Sequence, residues 1–528
     1  GDAVALMSEN RPEWPICDFA VQSLGAVTVP VYPTLEAGQV AHIVEDSGAK
    51  VAVVESESLR VRVESARERT PELGSIVVME HEGEGLSFEE VEREGAQSPV
   101  SGWEDGWRAI GREDVATIIY TSGTTGLPKG VLLTQGNLLS NLEGIMEALP
   151  VSEDDIMLSL LPLSHVFERT AGQYLAFAAG STTYYAESID KVPDNLREIR
   201  PNVTISVPRL YEKMYDRVLQ SVTEGGGLKK KMFEDAVECG KRAYEIERDG
   251  GTVGGLLKLR LKLYDRLIFA KLREAVGGRL DYFVSGGARL NPEIGKLFHA
   301  AGVKILEGYG LTETSPVIAC NRLERIRFGT VGPPLHNLEV KIDESGEVLV
   351  KGPSVMRGYL NNEKANAEAF TEDGFYRTGD VGEIDEAGYL KITDRAKNLM
   401  VLSTGKNVAP QPVETALTAA PHITQAVLVG DGRKYVSALI VPDYDAVRRT
   451  LGVEDANESL AAEESVRALI EADSQAATAG FAAYERPKRF VLLARELSQE
   501  RGELTPTLKV KMNAVQERYG DQVESLYA

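Results

Sequence analysis

Short apolar runs rich in β-branched residues alternate with helical patterns from Arg11 to about residue 360. Residues 27–31 and 50–54 have the composition of buried strands, and residues 37–46 between them have helical spacing that ends near Gly48. Similar strand-like runs recur farther along the chain, at residues 116–120, 156–160, 203–207 and 281–285. Alternation of this kind is typical of βα units built around mostly parallel sheets flanked by helices. The predicted fold class is therefore α/β.

A chain of 528 residues exceeds the roughly 250–300 residues that one hydrophobic core supports, so at least two domains are expected. Residues 1–394 are predicted to form a large N-terminal domain of several subdomains. Within it, the pattern becomes mainly helical and charged at about residues 209–276, which predicts a helical insertion. The chain starts at Gly1, without methionine, and enters a strand-like run at once, so we expect that an N-terminal segment is missing.

The C-terminal part of the chain has a different composition, and the change falls at residues 394–397. Short strand-like runs lie near residues 424–430 and 435–441, and an acidic, Ala-rich stretch with helical spacing covers residues 454–477. This mixture predicts a small α+β domain over residues 395–528.

The chain carries 80 acidic and 58 basic side chains, a formal net charge of −22. A surface of this charge repels phosphate backbones at long range, which argues against a nucleic-acid partner. The three cysteines, Cys17, Cys239 and Cys320, have neither metal-type nor redox-type spacing. No run of the sequence reaches the roughly 18 apolar residues of a membrane span. These features predict a protein of the reducing cytoplasm.

The sharpest local motif is a run of glycine, hydroxyl and lysine residues at 120–130, YTSGTTGLPKG. Glycines let the main chain approach anionic oxygens, hydroxyl groups donate hydrogen bonds and a lysine supplies positive charge, so the composition predicts a phosphate-binding loop. We place it in a strand-loop-helix unit, between a strand at 116–120 and a helix that begins near residues 134–137. A Walker loop, and with it a P-loop kinase or ATPase, is excluded because Gly130 follows Lys129 where that loop has Ser or Thr. The predicted phosphate-binding residues are Thr121, Ser122, Gly123, Thr124, Thr125, Gly126 and Lys129.

This loop resembles the signature loop of the adenylate-forming superfamily, which includes acyl-CoA synthetases, luciferases and the adenylation domains of peptide synthetases. The resemblance implies a reaction in which ATP first converts a carboxylic acid into an acyl adenylate. It also implies a large AMP-binding domain followed by a small mobile lid domain that carries a catalytic lysine.

A second motif, EGYGLTET, covers residues 307–314 and follows a short strand-like run. An aromatic ring can stack on adenine, a threonine hydroxyl can bind a phosphate, and a carboxylate can hold the magnesium ion that neutralises triphosphate charge. The resemblance places Tyr309 and Gly310 at the nucleotide. It assigns catalytic roles to Thr312 and Glu313, with Glu313 as the Mg²⁺ ligand.

Two further segments resemble nucleotide-binding parts of the family, although by residue type alone each would be an ordinary turn. The turn SGGA at 285–288 has small residues that leave flat space for a purine, and Gly287 and Ala288 are the predicted contacts. The segment YRTGD at 376–380 offers Asp380, whose carboxylate would accept hydrogen bonds from the ribose hydroxyls.

Two C-terminal motifs resemble the hinge and the lysine-bearing loop of the family's mobile domain. The segment DRAK at 394–397 resembles the family's hinge, with Arg395 reaching ribose or phosphate and Lys397 as the pivot. The run GELTPTLKVK resembles the loop that brings the catalytic lysine into the site; Lys509 is the predicted residue and Lys511 its rival. Such a cation offsets the repulsion between an attacking carboxylate and a triphosphate.

His165 lies in LPLSHVFE, which matches the segment where the family places an aromatic residue or histidine near the acyl carboxylate and the thioester. The resemblance implies that His165 positions substrate or closes the site between the two half-reactions. An isolated histidine among apolar neighbours is more often structural, so both interpretations stay open.

The resemblance covers essentially the whole chain and is nearest to bacterial long-chain fatty acid ligases, because of the helical insertion and the segment KNVAPQPVE at 406–414. The implied reaction uses ATP and Mg²⁺ to convert a fatty acid to acyl-AMP and pyrophosphate, and then transfers the acyl group to coenzyme A. The alternatives are an adenylating enzyme with another acid or a carrier-protein acceptor, and a nucleotide-binding sensor that has lost catalysis. Phe375, Tyr376 and Met512 stand where the subgroup usually has Trp, Phe and Arg.

Residues 258–274 hold six basic side chains and two acidic ones, Asp265 and Glu274, which is unusual in so acidic a chain. A basic helix rich in leucine can lie against a membrane, where long fatty acids reside. The other interpretation, which we favour here because it is commoner, is a solvated helix that packs its leucines on the core. Weak contact with the inner membrane face is thus an alternative for an otherwise cytoplasmic enzyme, and the sequence does not indicate an oligomeric state.

Overall fold

The chain forms two compact units, seen in a computed structural model that describes residues 1–67, 69–81, 86–121, 128–224, 226–395, 400–404, 406–504 and 510–527. Unit 1 holds Gly1–Lys341, Leu349–Thr378 and Ile384–Leu390. Unit 2 holds Ile342–Val348, Gly379–Glu383 and Lys391–Ala528.

The strands are numbered in chain order. They are β1 (Ala3–Met7), β2 (Val27–Pro30), β3 (Ala49–Ser56), β4 (Ser75–Glu80), β5 (Leu86–Ser87), β6 (Val115–Thr121), β7 (Lys129–Thr134), β8 (Ile156–Ser159), β9 (Thr182–Tyr185), β10 (Val203–Ser206), β11 (Tyr282–Ser285), β12 (Lys304–Gly310), β13 (Val317–Cys320), β14 (Glu339–Ile342), β15 (Glu347–Lys351), β16 (Gly358–Tyr359), β17 (Tyr376–Ile384), β18 (Leu390–Arg395), β19 (Met400–Val401), β20 (Asn407–Val408), β21 (Ile423–Val429), β22 (Ser437–Pro442) and β23 (Phe490–Leu492).

The helices are numbered in the same way. They are α1 (Glu13–Ser23), α2 (Ala37–Ser47), α3 (Glu57–Glu64), α4 (Phe88–Gln97), α5 (Trp103–Arg108), α6 (Gln135–Ala148), α7 (Leu175–Ala179), α8 (Val192–Ile199), α9 (Pro208–Glu224), α10 (Gly227–Arg248), α11 (Gly255–Tyr264), α12 (Ala270–Ala275), α13 (Pro292–Ala300), α14 (Glu363–Ala369), α15 (Pro410–Thr418), α16 (Tyr444–Leu451), α17 (Asn457–Leu460), α18 (Glu464–Ala477) and α19 (Met512–Ser525). Glu168–Tyr174 and Asp265–Phe269 are π-helical, and Thr312–Thr314 is a 3₁₀ turn.

Two mostly parallel sheets form the body of unit 1. The first has the order β16-β7-β6-β2-β1-β3-β4-β5 and the second the order β13-β12-β11-β10-β8-β9. In the first sheet only the β6–β7 and β7–β16 pairs are antiparallel, and in the second only β12–β13, among the described pairings. Buried faces of these strands pack on helices such as α2, α3 and α6. The predicted α/β class is confirmed.

Local signals place several elements where the sequence predicted them. Helix α2 ends at Gly48, which adopts a left-handed conformation (φ 63°) that glycine reaches without a Cβ penalty. Helix α6 begins after Thr134, whose side chain accepts a hydrogen bond from the main-chain N–H of Asn137. The strands predicted near 424–430 and 435–441 are β21 and β22, whereas Ala461–Glu463 divide the stretch predicted as helical at 454–477.

The strand-loop-helix unit predicted around residues 120–130 is wrong in one respect. Residues 129–134 form strand β7, which pairs antiparallel with β6 before α6 begins. Val131 and Leu133 are fully buried, and Gly130 lies so close to Ile118 that an added Cβ would come within 2.9 Å of its Cγ2 atom. The apolar run therefore adds strand β7 to the first sheet before α6 begins.

The insertion predicted at about 209–276 is mainly helical, as expected, and consists of α9 to α12 with the π-helical segment before α12. The favoured interpretation of its basic part holds only in part: Leu272 is buried and Leu261 partly buried, whereas Leu259, Leu263 and Leu267 are exposed, as is Leu256 just before this stretch. Leucine at every second position of residues 257–263 distributes leucines around the whole helix, so a single packing partner cannot cover them all. Within the described residues, the chain has no helix with the length and apolar character needed to span a bilayer.

A buried ion pair links three segments of unit 1. Arg169 donates from Nε and one terminal nitrogen to the carboxylate of Asp18, at 2.9 and 2.5 Å, and from the other terminal nitrogen to Thr117 Oγ1 at 2.7 Å. Tyr174 donates to the same carboxylate at 2.6 Å. Asp18 and Arg169 are almost completely buried, so each charge depends on the other for its stabilisation.

Unit 2 contains its own hydrophobic clusters. Strand β22 pairs antiparallel with β21 and parallel with β23, and α15, α16 and α18 cover this sheet. Leu504 and Val515 belong to a second cluster, which packs α19 on the sheet. Burial raises the pKa of Glu414 in α15 to about 7, although its carboxylate accepts the main-chain N–H of Leu428 at 2.7 Å.

Candidate active site

The two residues that flank the predicted phosphate loop face each other. Thr121 ends β6, Lys129 begins β7, and the two are paired across the hairpin. Ser122, Gly123, Thr124, Thr125 and Gly126 lie outside the described residues. The pairing brings both ends of the loop to one point at the edge of β6 and β7.

Helix α2 holds the base of this hairpin. Tyr120 donates a hydrogen bond to Asp46 Oδ2 at 2.7 Å, and His42 Nε2 donates to the carbonyl oxygen of Pro128 at 3.2 Å. The His42 and Tyr120 rings meet edge to face, with centroids 6.2 Å apart. These contacts fix Pro128, the residue that precedes Lys129, and no motif in the sequence indicated them.

Strand β16 lies beside β7 and contributes an aromatic ring to the site. Tyr359 pairs with Val131, and the main-chain N–H of Leu360 donates to the carbonyl oxygen of Gly130 at 2.8 Å. Lys129 Nζ lies 5.0 Å from the centroid of the Tyr359 ring. A cation over an aromatic face is weakly attracted to it, which directs the ammonium group toward Tyr359.

Tyr359 joins Lys129 to the second predicted motif. Its hydroxyl donates to Glu313 Oε1 at 2.9 Å and lies 3.4 Å from the hydroxyl of Tyr376. Burial, followed by the negative charge of Glu313, raises the pKa of both tyrosines well above the usual range. Both phenols therefore stay neutral and can donate hydrogen bonds to a carboxylate.

The turn that carries Thr312 and Glu313 is held from both sides. An added Cβ on Gly310 would lie 1.8 Å from the main-chain oxygen of Pro316, so only glycine fits there. Asn141 of α6 donates to the carbonyl oxygen of Val317 at 2.8 Å and accepts the N–H of the same residue at 3.1 Å. The motif is thus fixed by contacts that are distant in sequence.

Ser315 and Met356 anchor the turn further. The Ser315 hydroxyl donates to the carbonyl oxygen of Ser354 at 2.8 Å, and the main-chain N–H of Met356 donates to the carbonyl oxygen of Glu313 at 2.8 Å. The main chain under the Glu313 carboxylate therefore cannot move without breaking bonds to the 354–356 loop. A carboxylate supported in this way is preorganised for a ligand.

The predicted purine turn follows β11 and leaves open space. Gly287 has a φ of 78°, and both Gly287 and Ala288 are exposed. An added Cβ on Gly286 would lie 2.7 Å from the ring of Phe167. The purine turn therefore contacts the segment that contains His165. Nothing in the sequence indicated that these two motifs are neighbours.

His165 is oriented by its own chain. Its Nδ1 atom accepts the main-chain N–H of Phe167 at 3.1 Å, so a neutral ring carries its proton on Nε2. Glu168, three residues after His165, is completely buried. Burial raises the pKa of Glu168 to about 8 despite hydrogen bonds from Ser159 and the main chain of Leu161. Glu168 was not predicted, and only a carboxylate at an otherwise apolar position could have indicated it.

Glu307, the first residue of the second motif, is another buried carboxylate. Burial raises its pKa to about 8, and its Oε1 atom accepts the main-chain N–H of Gly329 at 3.1 Å. The main chain of Glu307 accepts the N–H of Asn321 at 2.9 Å. Its place is under the motif, where it ties β12 to the 321–329 loop, rather than among the Lys129, Glu313 and Tyr359 side chains.

The remaining predicted residues belong to unit 2. Asp380 is buried in β17. Arg395 ends β18, while its side chain, Lys397 and Lys509 lie outside the described part of the chain. Lys511 is exposed immediately before α19, and its main-chain N–H donates to the carbonyl oxygen of Glu503 at 2.8 Å.

The Glu313 carboxylate has the donor chemistry that suits a magnesium ion. Tyr359 occupies one position on the carboxylate, which leaves further lone pairs for a ligand. Mg²⁺ is commonly bound by one or two protein carboxylates together with substrate phosphates. The described residues contain no cluster of three or more His, Cys, Asp or Glu side chains suited to a metal.

Family models match both parts of the chain. Residues 1–360 match the AMP-binding enzyme family, and residues 397–528 match the AMP-binding enzyme C-terminal domain. The chain therefore belongs to the AMP-binding enzyme family.

Relatives agree with this assignment, and solved structures share the fold. The long-chain-fatty-acid–CoA ligase FadD15 of Mycobacterium bovis is 37% identical over 536 residues, covering 100% of this chain and 88% of the relative. The peroxisomal long chain acyl-CoA synthetase 7 of Arabidopsis thaliana is 31% identical over 565 residues, covering 100% and 78%. ATP-bound MatB from Rhodopseudomonas palustris has the same fold, with a TM-score of 0.70, 22% identity, and coverage of 99% of this chain and 89% of that chain. The A domain of a carboxylic acid reductase from Segniliparus rugosus, in complex with AMP, matches with a TM-score of 0.72, 24% identity, and coverage of 100% and 82%.

Proposed function

We propose that this enzyme is a long-chain fatty acid–CoA ligase that forms AMP. In the first step the fatty acid carboxylate attacks the α-phosphorus of ATP, which yields the acyl adenylate and releases pyrophosphate. In the second step the thiol of coenzyme A attacks the acyl carbon and expels AMP. The observation that carries the proposal is the 37% identity, over the whole chain, to a relative named for this reaction.

Adenylation converts the fatty acid into a better acyl donor. A free carboxylate is a poor acyl donor, because its leaving group would be oxide, whereas an acyl adenylate expels AMP readily. The attack joins two anions, so their repulsion must be offset in the transition state. Lys129 at the hairpin and Lys509 near the C-terminus are the cations that we assign to this task.

The Lys129–Tyr359–Glu313 arrangement supports the proposed triphosphate site. It combines an ammonium group above a tyrosine ring with a carboxylate oriented by the hydroxyl of that tyrosine. Glu313 would hold Mg²⁺, which when bound neutralises phosphate charge and orients the phosphate oxygens for displacement. Thr312, in the same rigid turn, would donate its hydroxyl to the α-phosphate.

The nucleoside part of ATP has a separate set of proposed contacts. The exposed turn at Gly287 and Ala288 would accept the purine, with Tyr309 stacking on it. Asp380 would accept hydrogen bonds from the ribose hydroxyls, and Arg395 would reach the ribose or a phosphate. Thr121 and the loop residues Ser122, Gly123, Thr124, Thr125 and Gly126 would bind the phosphates that leave as pyrophosphate.

The second step requires a rearrangement of the same site. A lysine that serves adenylation must leave before the thiol can approach the acyl carbon, so residues 395–528 would act as a mobile lid that turns near Lys397. His165 would then position the acyl group or close the site between the half-reactions. We expect the fatty acid to be collected in part from a lipid surface, since long acyl chains dissolve poorly in water.

Product analysis tests the proposed reaction. The purified protein is given ATP, Mg²⁺, coenzyme A and a series of fatty acids of increasing length, and AMP, pyrophosphate and acyl-CoA are measured together. Equal amounts of AMP and acyl-CoA, greatest with long chains, are expected. Glu313→Gln should lower both products strongly while leaving a measurable residual rate, and Glu147→Gln, at an exposed carboxylate that pairs with His336, should have no effect.

Other results would assign a different function. AMP without acyl-CoA would indicate a different thiol acceptor, and a preference for aryl acids would indicate a different acid. ATP binding without any product would indicate a sensor that has lost catalysis.

A further inference from the structure

Four exposed leucines lie along one side of the basic helix in the insertion. Leu256, Leu259, Leu263 and Leu267 have 72, 66, 56 and 47% of their surface exposed. Their spacing of three or four residues brings them to one face of the helix, because each residue turns the chain by about 100°. We call these four residues the leucine face. Exposed apolar side chains grouped in this way mark an interaction surface more often than a solvated one.

The opposite side of the helix is attached to the protein. Leu257, Leu261 and Tyr264 are partly buried. Arg260 and Tyr264 both donate hydrogen bonds to Asp235 of α10, so α10 and α11 form an anchored hairpin. The leucine face is therefore presented by a helix whose orientation is fixed from behind.

Basic side chains border the leucine face. Lys258, Lys262 and Arg266 are exposed and, four residues apart, follow one flank of the helix. Where the structure describes the chain, none of the three takes part in an ion pair, whereas Asp265 pairs with Arg273. A protein with a formal net charge of −22 therefore concentrates unpaired positive charge beside its exposed leucines.

We propose that the leucine face docks on the surface of an anionic lipid bilayer. The leucines would enter the boundary between headgroups and acyl chains, and Lys258, Lys262 and Arg266 would contact lipid phosphates. The overall negative charge opposes binding elsewhere on the molecule, so the local positive charge orients the contact. The proposal rests on the proposed function in one respect, because a bilayer holds the long-chain acid that the enzyme would activate.

Charge favours lipid over a second copy of the chain. A symmetric contact across the leucine face would bring the three cations of one copy toward those of the other, which is repulsive. Anionic headgroups complement the same cations. Burial of leucine and neutralisation of charge thus act together only with an acidic, apolar partner surface.

Vesicle flotation of the full chain tests the proposal. The protein should float with vesicles made of equal parts phosphatidylcholine and phosphatidylglycerol, and much less with phosphatidylcholine alone. The paired variant Leu259→Ser with Leu263→Ser should lose at least roughly tenfold in partitioning, since insertion of apolar side chains drives such binding. Lys258→Glu with Lys262→Glu should lose at least roughly fivefold for each cation removed, and increasing salt should have a similar effect.

Matched controls separate the leucine face from general surface effects. Leu24→Ser changes a leucine with 59% exposure on another helix end, and Arg93→Glu changes an exposed arginine on α4; both should float as the unmodified protein does. Equal flotation of the leucine-face variants and these controls would overturn the proposal. So would a concentration-dependent dimer, seen by sedimentation, that the paired serine variant abolishes without any vesicle binding.

Activity measurements distinguish this proposal from the proposed function. Acyl-CoA formation is followed with fatty acid delivered in detergent micelles and, separately, in the anionic vesicles. The paired serine variant should keep its rate with micelles and lose rate only with vesicles. Acyl-CoA formation without flotation would refute the docking surface alone, and flotation without acyl-CoA formation would refute the proposed reaction alone.

Discussion

Replacing Tyr359 with phenylalanine removes one oxygen atom and leaves the ring that packs beside Lys129. That oxygen donates to Glu313 at 2.9 Å in a partly buried setting. A hydrogen bond to a charged group contributes about 1.5–3 kcal/mol, which corresponds to a factor of roughly 10 to 160 in kcat/KM. If Glu313 binds Mg²⁺ together with ATP, the loss should be largest when Mg²⁺ is scarce, because the carboxylate is no longer held in one orientation.

The assay is the initial rate of pyrophosphate release, measured over a range of Mg²⁺ and ATP concentrations. Tyr282→Phe is the matched control, since it removes another partly buried, hydrogen-bonded phenolic oxygen, 3.0 Å from the carbonyl oxygen of Pro150. The control should lose some stability and keep its activity. Tyr359→Phe should also lose some stability, because its hydrogen bond to Glu313 is removed, but unlike the control it should lose activity as well.

The double variant Tyr359→Phe with Glu313→Gln makes the test sharper. If the phenol acts through the carboxylate, its removal should have little further effect once Glu313 is neutral. Equal losses from Tyr359→Phe in the presence and absence of the Glu313 carboxylate would refute the reasoning. So would a loss of kcat/KM that does not depend on Mg²⁺.

Three further predictions follow from individual residues. Lys509→Ala should reduce adenylate formation by at least roughly 100-fold, the usual effect of losing a group that stabilises transition-state charge, while Lys511→Ala should leave it nearly unchanged; the reverse result would transfer the role to Lys511. Gly310→Ala should destabilise the protein by about 3 kcal/mol or more, because the added methyl group meets a main-chain oxygen, and Gly95→Ala, with open space around it, should not; thermal unfolding measures both. The folded protein raises the pKa of Glu307 from 4.5 to about 8, so it holds this proton more tightly than the unfolded chain does, and stability should fall as pH rises from about 4.5 to 8. Glu307→Gln should therefore show a smaller difference in melting temperature between pH 5 and pH 9 than the unmodified protein, and an unchanged difference would contradict this view of Glu307.

The sequence predicted those parts of the fold that depend on local signals. The end of α2 at Gly48 and the start of α6 at Thr134 each depend on a residue whose conformational or capping preference is strong. The position of β7 was missed because a short apolar run next to a helix cap has no distinctive period, and only its pairing with β6 identifies it as a strand.

The sequence identified residues of the candidate site but not the contacts that join them. Glu313 and Lys129 were identified from their motifs, but Tyr359, which joins them, lies in a two-residue strand without a motif of its own. Its contact with Glu313 spans 46 positions of the chain. Likewise, no local pattern could indicate that Gly286 rests against Phe167 or that the leucine face would remain uncovered.

The ion pair between Asp18 and Arg169 has a consequence for how this protein can vary. Loss of either partner alone leaves a buried charge without its counterion, which typically costs about 3–5 kcal/mol, whereas joint replacement by uncharged residues of similar volume can be nearly neutral. Natural variants should therefore retain both residues or change both. The two positions lie 151 residues apart, on α1 and on the π-helical segment next to His165. They should therefore covary among related sequences.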